Sequence, residues 1–128
     1  MTQNKILIVD DEESIRALME LAFLKGGYQV RSAESAEAAL ELLKDDKIHV
    51  MFLDLKLPEM DGIELCRQIR RDMPMAIIHA VTGYASLFQL ADCREAGFDD
   101  YFIKPVNLES LLKAAKDAFE KLSRWKKR

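Results

Sequence analysis

Two stretches of this chain are apolar without alternation, Ile6-Leu7-Ile8-Val9 and Val50-Met51-Phe52-Leu53. A strand whose successive side chains are all apolar has no face for solvent, so other elements must cover both of its sides. Each run stops on acid: Asp10-Asp11 ends the first and Asp54 ends the second. Beyond Asp54, Pro58 and the Asp61-Gly62 pair forbid continuation of the strand. Such strands belong inside a parallel sheet, where ligands bind outside the carboxyl ends. A lone strand-ending aspartate more often caps a turn. The rest of the chain decides against that reading of Asp54.

Helical stripes alternate with these runs. Ile15, Leu18, Met19, Ala22 and Phe23 recur at helical spacing from about Ser14 to Lys25, and Gly26-Gly27 stops that helix. Tyr28 to Ser32 is a shorter, more polar strand, the pattern of a sheet edge. Ser35 can cap a second helix bearing Ala36, Ala39, Leu40 and Leu43. Asp61-Gly62-Ile63-Glu64 has the form of a capping box opening a third, with Ile63, Cys66 and Ile69 on its stripe. Ala76 to Val81 is a fourth strand ending at Thr82-Gly83, followed by a helix around Leu87–Ala96. Tyr101-Phe102-Ile103 is a short fifth strand ending at Lys104-Pro105. Asn107 caps a last helix reaching about Trp125, with Leu108, Leu111, Leu112, Ala115, Phe119 and Leu122 along one face. Five strand-then-helix units imply a doubly wound α/β fold in a single domain.

Composition narrows the function. Apolar residues make up 49% of the chain and charged ones 32%, which suits a globular protein and not a disordered one. No apolar stretch approaches the roughly 18 residues of a membrane span, and the start has no signal-peptide pattern. Cys66 and Cys93 lack metal or redox spacing and read as reduced packing residues of a cytoplasmic protein. Five of the 19 basic residues lie at 121–128, so the net charge of −3 covers an acidic body of 22 acids against 14 bases. That body argues against direct nucleic-acid binding. The basic end suits the negative pole of a helix C-terminus.

The polar residues at the strand ends now form a set. In a parallel sheet Asp10, Asp11, Asp54, Thr82 and Lys104 all reach one rim. Two carboxylates about 5 Å apart repel by roughly 3 kcal/mol at an effective dielectric near 20. Three need more compensation than Lys104 supplies, and a hard divalent cation such as Mg²⁺ (or Mn²⁺) provides it. A carboxylate can attack phosphorus to give an aspartyl phosphate. Lys104 and Thr82 would stabilise charge on the transferring group. The parts suit phosphoryl transfer onto Asp54.

From residue 5 to about 122 the sequence resembles the receiver domain of two-component response regulators. The matching stretches are Ile6-Leu7-Ile8-Val9-Asp10-Asp11-Glu12, Leu53-Asp54-Leu55 with Leu57 to Gly62, Val81-Thr82-Gly83, and Ala96 to Pro105. The resemblance implies a flavodoxin-like strand order 2-1-3-4-5. It also implies Asp54 as acceptor of a phosphoryl group from a histidine kinase or histidine phosphotransfer protein. Mg²⁺ would be held by Asp11, Asp54 and the Lys56 backbone carbonyl, with Asp10 orienting a metal-bound water. Thr82 and Tyr101 would be the switch pair, and a downstream protein would read the face of the fourth helix, fifth strand and fifth helix. Lys104-Pro105 would be a cis peptide, turning the lysine back toward Asp54. Lys56 and Tyr84 occupy positions that line the path of hydrolytic water. His79 stands where an aliphatic residue is usual and reads as a hydrogen-bonded or partly exposed ring.

Two other functions meet direct objections. A phosphatase of the haloacid-dehalogenase type resembles Asp-x-Asp, and here Lys56 replaces the second acid. A dinucleotide-binding domain needs a glycine-rich turn after the first strand, where Asp10-Asp11-Glu12 stand instead. Residues 1–122 are expected to form the receiver and 123–128 a basic helix end or tail. With one helix consuming the residues after Pro105, a stand-alone receiver without output domain is expected. A domain cut from a larger regulator is the alternative.

Overall fold

The computed structural model describes residues 4–83 and 86–126, with the backbone alone described at Leu87 and Phe88. The strands are β1 (Lys5–Val9), β2 (Gln29–Ala33), β3 (Val50–Asp54), β4 (Ile77–Thr82) and β5 (Asp100–Ile103). The helices are α1 (Glu13–Lys25), α2 (Ala36–Asp45), α3 (Gly62–Asp72), α4 (Leu87–Ala96) and α5 (Leu108–Lys126). All strand pairs are parallel, in the order β2-β1-β3-β4-β5. β1, β3 and β4 are the inner strands, and their apolar runs are buried apart from the first residue of β1. β2 and β5 are the edges and carry the mixed patterns.

Strand alternation sorts the inner side chains into two cores. Ile6, Ile8, Val50, Phe52, Ile77 and Val81 face α1 and α5. Leu7, Val9, Met51, Leu53, Ile78 and Ala80 face α2, α3 and α4. The helix starts follow the expected caps. Ser35 Oγ accepts from the Ala38 N–H, and Asn107 Oδ1 from that of Ser110, each at 3.1 Å. Each such cap stabilises by about 1 kcal/mol. Asp61 Oδ1 accepts from Glu64 N–H at 2.9 Å, but Glu64 turns its carboxylate to Gln68 (3.3 Å) and Arg67 (3.5 Å). Only one half of the capping box is made. Gly97, with φ of 108°, ends α4 in the left-handed region, and the Arg70 guanidinium beneath it binds the Gly97 carbonyl and Asp99.

The expected stripe of α1 is narrower than its sequence pattern. Met19, Ala22 and Phe23 are buried, whereas Leu18 is 44% exposed. Phe23 and Leu18 lie on opposite margins of the stripe. Phe23 is closed in by Phe52 at 5.0 Å and Tyr28 at 6.3 Å, and its core is shared with α5. Leu18 lies on the margin without such a neighbour. Cys66 and Cys93 are buried free thiols between α3 and α4, and burial pushes Cys66 up to about 12.

His79 is a core residue with its hydrogen bond satisfied. It is 4% exposed, stacks on Phe52 at 4.2 Å, and its Nδ1 donates to the Met51 carbonyl at 2.9 Å. Burial holds its pKa below the ordinary 6.5, against smaller opposing effects of Met51, Asp99 and Asp100. The neutral ring is therefore the folded form. Its stabilisation is complete above the unfolded pKa and falls as pH drops below it, by up to about 1.4 kcal/mol per pH unit. In an NMR titration the His79 ring is expected to stay neutral below pH 6.5. A midpoint at or above that value would contradict this assignment.

Candidate functional site

The carboxyl ends of β1, β3, β4 and β5 bring the site together. Asp54 closes β3 opposite Val81 and is 4% exposed. Its Oδ1 accepts the Lys56 N–H at 3.1 Å, which folds the chain sharply after the strand. Its Oδ2 accepts from Lys104 Nζ at 3.2 Å. Asp10 follows β1 and is 1% exposed, with Oδ1 accepting the Glu12 N–H at 2.9 Å. Lys104 is fixed through its own backbone N–H, which donates to the Thr82 carbonyl at 2.8 Å. The Lys104-Pro105 peptide is cis, as the resemblance implies. One ammonium thus faces three carboxylates, Asp10 at 3.1 Å, Asp54 at 3.2 Å and Glu12 at 3.3 Å.

The ionisation of these groups follows from that crowding. Burial pushes the Asp54 carboxyl above its ordinary value, and the Asp10 charge adds to the rise. The Lys56 N–H and Lys104 oppose it without cancelling it. At Lys104, burial alone would lower the pKa, but Asp10 and Asp54 outweigh it and hold the ammonium above the ordinary lysine value. Lys104 is a fixed cation.

Oxygen atoms of Asp10, Asp11, Glu12 and Asp54 all lie within 4.8 Å of one another. Asp10 Oδ2 is buried, and its contact among the described residues is the ion pair with the Lys104 ammonium at 3.1 Å. A buried carboxylate oxygen that shares one ammonium with two other carboxylates, among hard donors, fits a divalent cation. The acidic group can hold a metal. Asp11 and Glu12 are the exposed members, on the open side of the cluster.

The chain from 6 to 116 matches the family model described as response regulator receiver domain. It belongs to that family. Regulatory protein AtoC of Escherichia coli (strain K12) is 34% identical to this receiver over 108 residues, covering 84% of the chain and 23% of AtoC. Alkaline phosphatase synthesis transcriptional regulatory protein PhoP of Bacillus subtilis (strain 168) is 41% identical over 101 residues, covering 79% of the chain and 42% of PhoP. The chain therefore spans less than half the length of these two relatives. The crystal structure of a CheY-like response regulator receiver domain protein from Methanospirillum hungatei JF-1 superposes with a TM-score of 0.92. The two are 32% identical, and the match covers 96% of this chain and 98% of that one. This receiver is a signalling domain, and the phosphatase reading finds no support.

The remaining sequence-derived residues separate into two groups. Thr82 ends β4, is 4% exposed and touches the cluster through its carbonyl bond to Lys104. Lys56 approaches Asp54 through its N–H, and its side chain is exposed. Tyr101 stands apart. It pairs with Ala80 on the face that also carries Thr82, and 44% of it is exposed. With Leu90, Cys93, Arg94 and Phe98 it lines a groove of about 400 Å³ between α4 and β5. Tyr84 lies outside the described residues.

Two residues of the site carried no role in the sequence reading. In the sequence Glu12 is one acid in a run, and its position directly after Asp10-Asp11 is the available signal. Gly62 was read as a turn former. A Cβ there would collide with the Asp54 carbonyl oxygen and lie 2.8 Å from Leu55 Cα. Sequence shows a glycine after an aspartate, not the backbone behind it.

No described helix is long and apolar enough to cross a membrane.

Proposed function

We propose that Asp54 accepts a phosphoryl group from the phosphohistidine of a histidine kinase or histidine phosphotransfer protein, and that this shifts partner binding. The observation that carries the reading is the convergence of Asp10, Asp54 and Lys104 within 3.2 Å contacts beside Asp11 and Glu12. An Asp54 oxygen attacks phosphorus as the P–N bond to the donor breaks, and the imidazole leaves. The fixed Lys104 ammonium and the Thr82 hydroxyl neutralise charge on the transferring oxygens. Asp11, Asp54 and the Lys56 carbonyl would hold Mg²⁺ or Mn²⁺, with Asp10 oriented to a water of its shell. When bound, the ion supplies Lewis-acid charge neutralisation. The domain catalyses its own phosphorylation and a slow dephosphorylation, with Lys56 beside the water path. Residues 1–122 form this unit, and 123–128 are its basic helix end or tail.

Acetyl phosphate with Mg²⁺ tests the reading directly. Intact mass should show one added phosphoryl group, and peptide mapping should place it on Asp54. A label on any other residue overturns the assignment.

Metal binding alone is expected to be weak, because waters remain on the ion. Asp11→Ala should lower Mg²⁺ affinity more than Asp10→Ala in calorimetric titration, Asp11 being the direct ligand. The reverse order would reject that ligand set.

The output face is α4-β5-α5, a cytoplasmic partner being its reader. A phosphoryl group on Asp54 draws the Thr82 hydroxyl toward it, and the Tyr101 ring turns inward over the vacated space on the same sheet face. The coupling is limited to about 1–3 kcal/mol. With beryllofluoride as phosphoryl mimic, NMR shifts should spread to the groove beside Tyr101, and Thr82→Ala should confine them to the acidic rim. Unchanged distant shifts in Thr82→Ala would reject the pair as the switch.

A further inference from the structure

At the end of the sheet opposite Asp54, a groove of about 450 Å³ opens between the start of β1, the α2–β3 loop and the last turns of α5. Its wall is apolar. Ile48 is 1% exposed, and Phe119 and Leu122 are half-buried beside it. Phe119 is held by Tyr28, which stacks on it at 5.3 Å and 18°. The rim is cationic, formed by Lys47, His49 and Lys126 with Lys5, and no carboxylate lines it among the described residues. Lys5 is neutralised by Asp46 at 2.8 Å. Lys47 and Lys126 make no ion pair with a described residue.

Helix C-termini draw cations to this rim, since α2 and α5 both end here. Each contributes about half a negative charge, so two helices supply about one. Two unpaired ammonium groups exceed that. The excess stands out in a chain whose net charge is −3. It is felt at His49, whose pKa is lowered first by burial and then by the charges of Lys126 and Lys47. A positive rim beside the apolar patch of Phe119 and Leu122 complements a ligand with one anionic end, and the volume is within the usual range for small-molecule sites, about 300–1,000 Å³.

We propose that this groove binds a small organic anion, a phosphate, phosphonate or carboxylate carried on an apolar body. The anionic group lies among Lys47, Lys126 and His49, and the apolar body lies on Phe119 and Leu122. A soluble metabolite and an anionic lipid headgroup both offer this chemistry.

Phenylphosphonate is a suitable probe because its phosphorus is bonded to carbon and is not transferred to Asp54. Titrated into the full chain, it should shift the ring resonances of His49 saturably and move the His49 titration midpoint upward. Lys5 with Asp46, Lys47 and Lys126 are the charged groups facing that ring, so the movement reports the rim. The double variant Lys47→Gln, Lys126→Gln should bind about tenfold more weakly. Both side chains are exposed, so the fold should survive. Asp54→Asn should bind as the parent does, which separates this groove from the acceptor site. Co-sedimentation with phosphatidylglycerol vesicles, reversed by phenylphosphonate, assigns the headgroup as the source. Soluble binding without sedimentation assigns a metabolite. The proposal fails if His49 shows no saturable shift at millimolar probe or if the double variant binds equally well. It fails equally if inorganic phosphate binds as tightly as phenylphosphonate, or if Asp54→Asn abolishes binding.

Discussion

Asp54→Asn is expected to abolish phosphoryl uptake and, in the same protein, to raise the stability of the fold. The first effect follows from loss of the oxygen proposed to attack phosphorus. The second follows from the geometry of the acidic rim. Carboxylates within 4.8 Å of one another repel by about 3 kcal/mol per pair at an effective dielectric near 20. Lys104 offsets part of this, but the Asp54 pKa still lies above the ordinary carboxyl value, from burial first and Asp10 next. The fold therefore favours the protonated carboxyl. That contribution is complete below the unfolded pKa and is lost as pH rises through the folded one, each unit of the rise costing about 1.4 kcal/mol. At neutral pH the ionised side chain is a net cost, and the neutral amide removes it. A gain of about 1 kcal/mol, or roughly 3–5 °C in Tm for a chain of this size, is expected. Urea denaturation at pH 7 and pH 4 measures it, and the gain should shrink at the lower pH. Labelling of the variant by acetyl phosphate would remove Asp54 from the mechanism. An equal gain at both pH values would reject the electrostatic account.

Much of the fold was readable in the sequence because the inner strands have no solvent face. Ile6 to Val9 and Val50 to Leu53 read as strands covered on both sides. Their terminal acids placed the site on one rim, where Asp10, Asp54 and Lys104 indeed meet. Periodicity was less informative where neighbours decide burial. Leu18 shares the spacing of Met19 and Ala22 yet is exposed, at the margin of α1 opposite Phe23. The His79 ring read as hydrogen-bonded or partly exposed. The structure shows it buried, since register places it directly against Phe52. Glu12 was hidden for a related reason. Its carboxylate reaches Lys104 from the first turn after β1, across 92 residues of sequence. Strand order also put Tyr101 on the face of Thr82, a relation fixed by the Ala80–Tyr101 and Thr82–Ile103 pairings and invisible in either segment alone.

Gly62→Ala is expected to destabilise the fold and slow phosphorylation, while Gly83→Ala on the same rim leaves stability nearly unchanged. Gly62 is the first residue of α3, and its N–H donates to the Leu55 carbonyl at 2.9 Å. That bond draws the helix start against the end of β3. An added Cβ would collide with the Asp54 carbonyl oxygen and stand 2.8 Å from Leu55 Cα and 2.9 Å from the Asp54 carbonyl carbon. All three are backbone atoms, so no side-chain rotation relieves the contact. Carbon atoms settle at about 3.5–4.0 Å, so helix and strand end must part by roughly 1 Å. Overpacking of this kind costs about 1–3 kcal/mol. The displaced segment carries Asp54 itself, and a shift of about 1 Å in a reacting group can cost about a hundredfold in rate. At Gly83 a Cβ meets no atom of a described residue within 4 Å, and the backbone is not in the left-handed region. The pair thus makes the same chemical change, one against backbone and one into open space. Chemical denaturation and acetyl phosphate labelling rates of both variants are the measurement. Equal stability of the two would mean that the α3 start yields freely, and the close approach of Gly62 to Asp54 would then have no part in holding the acceptor.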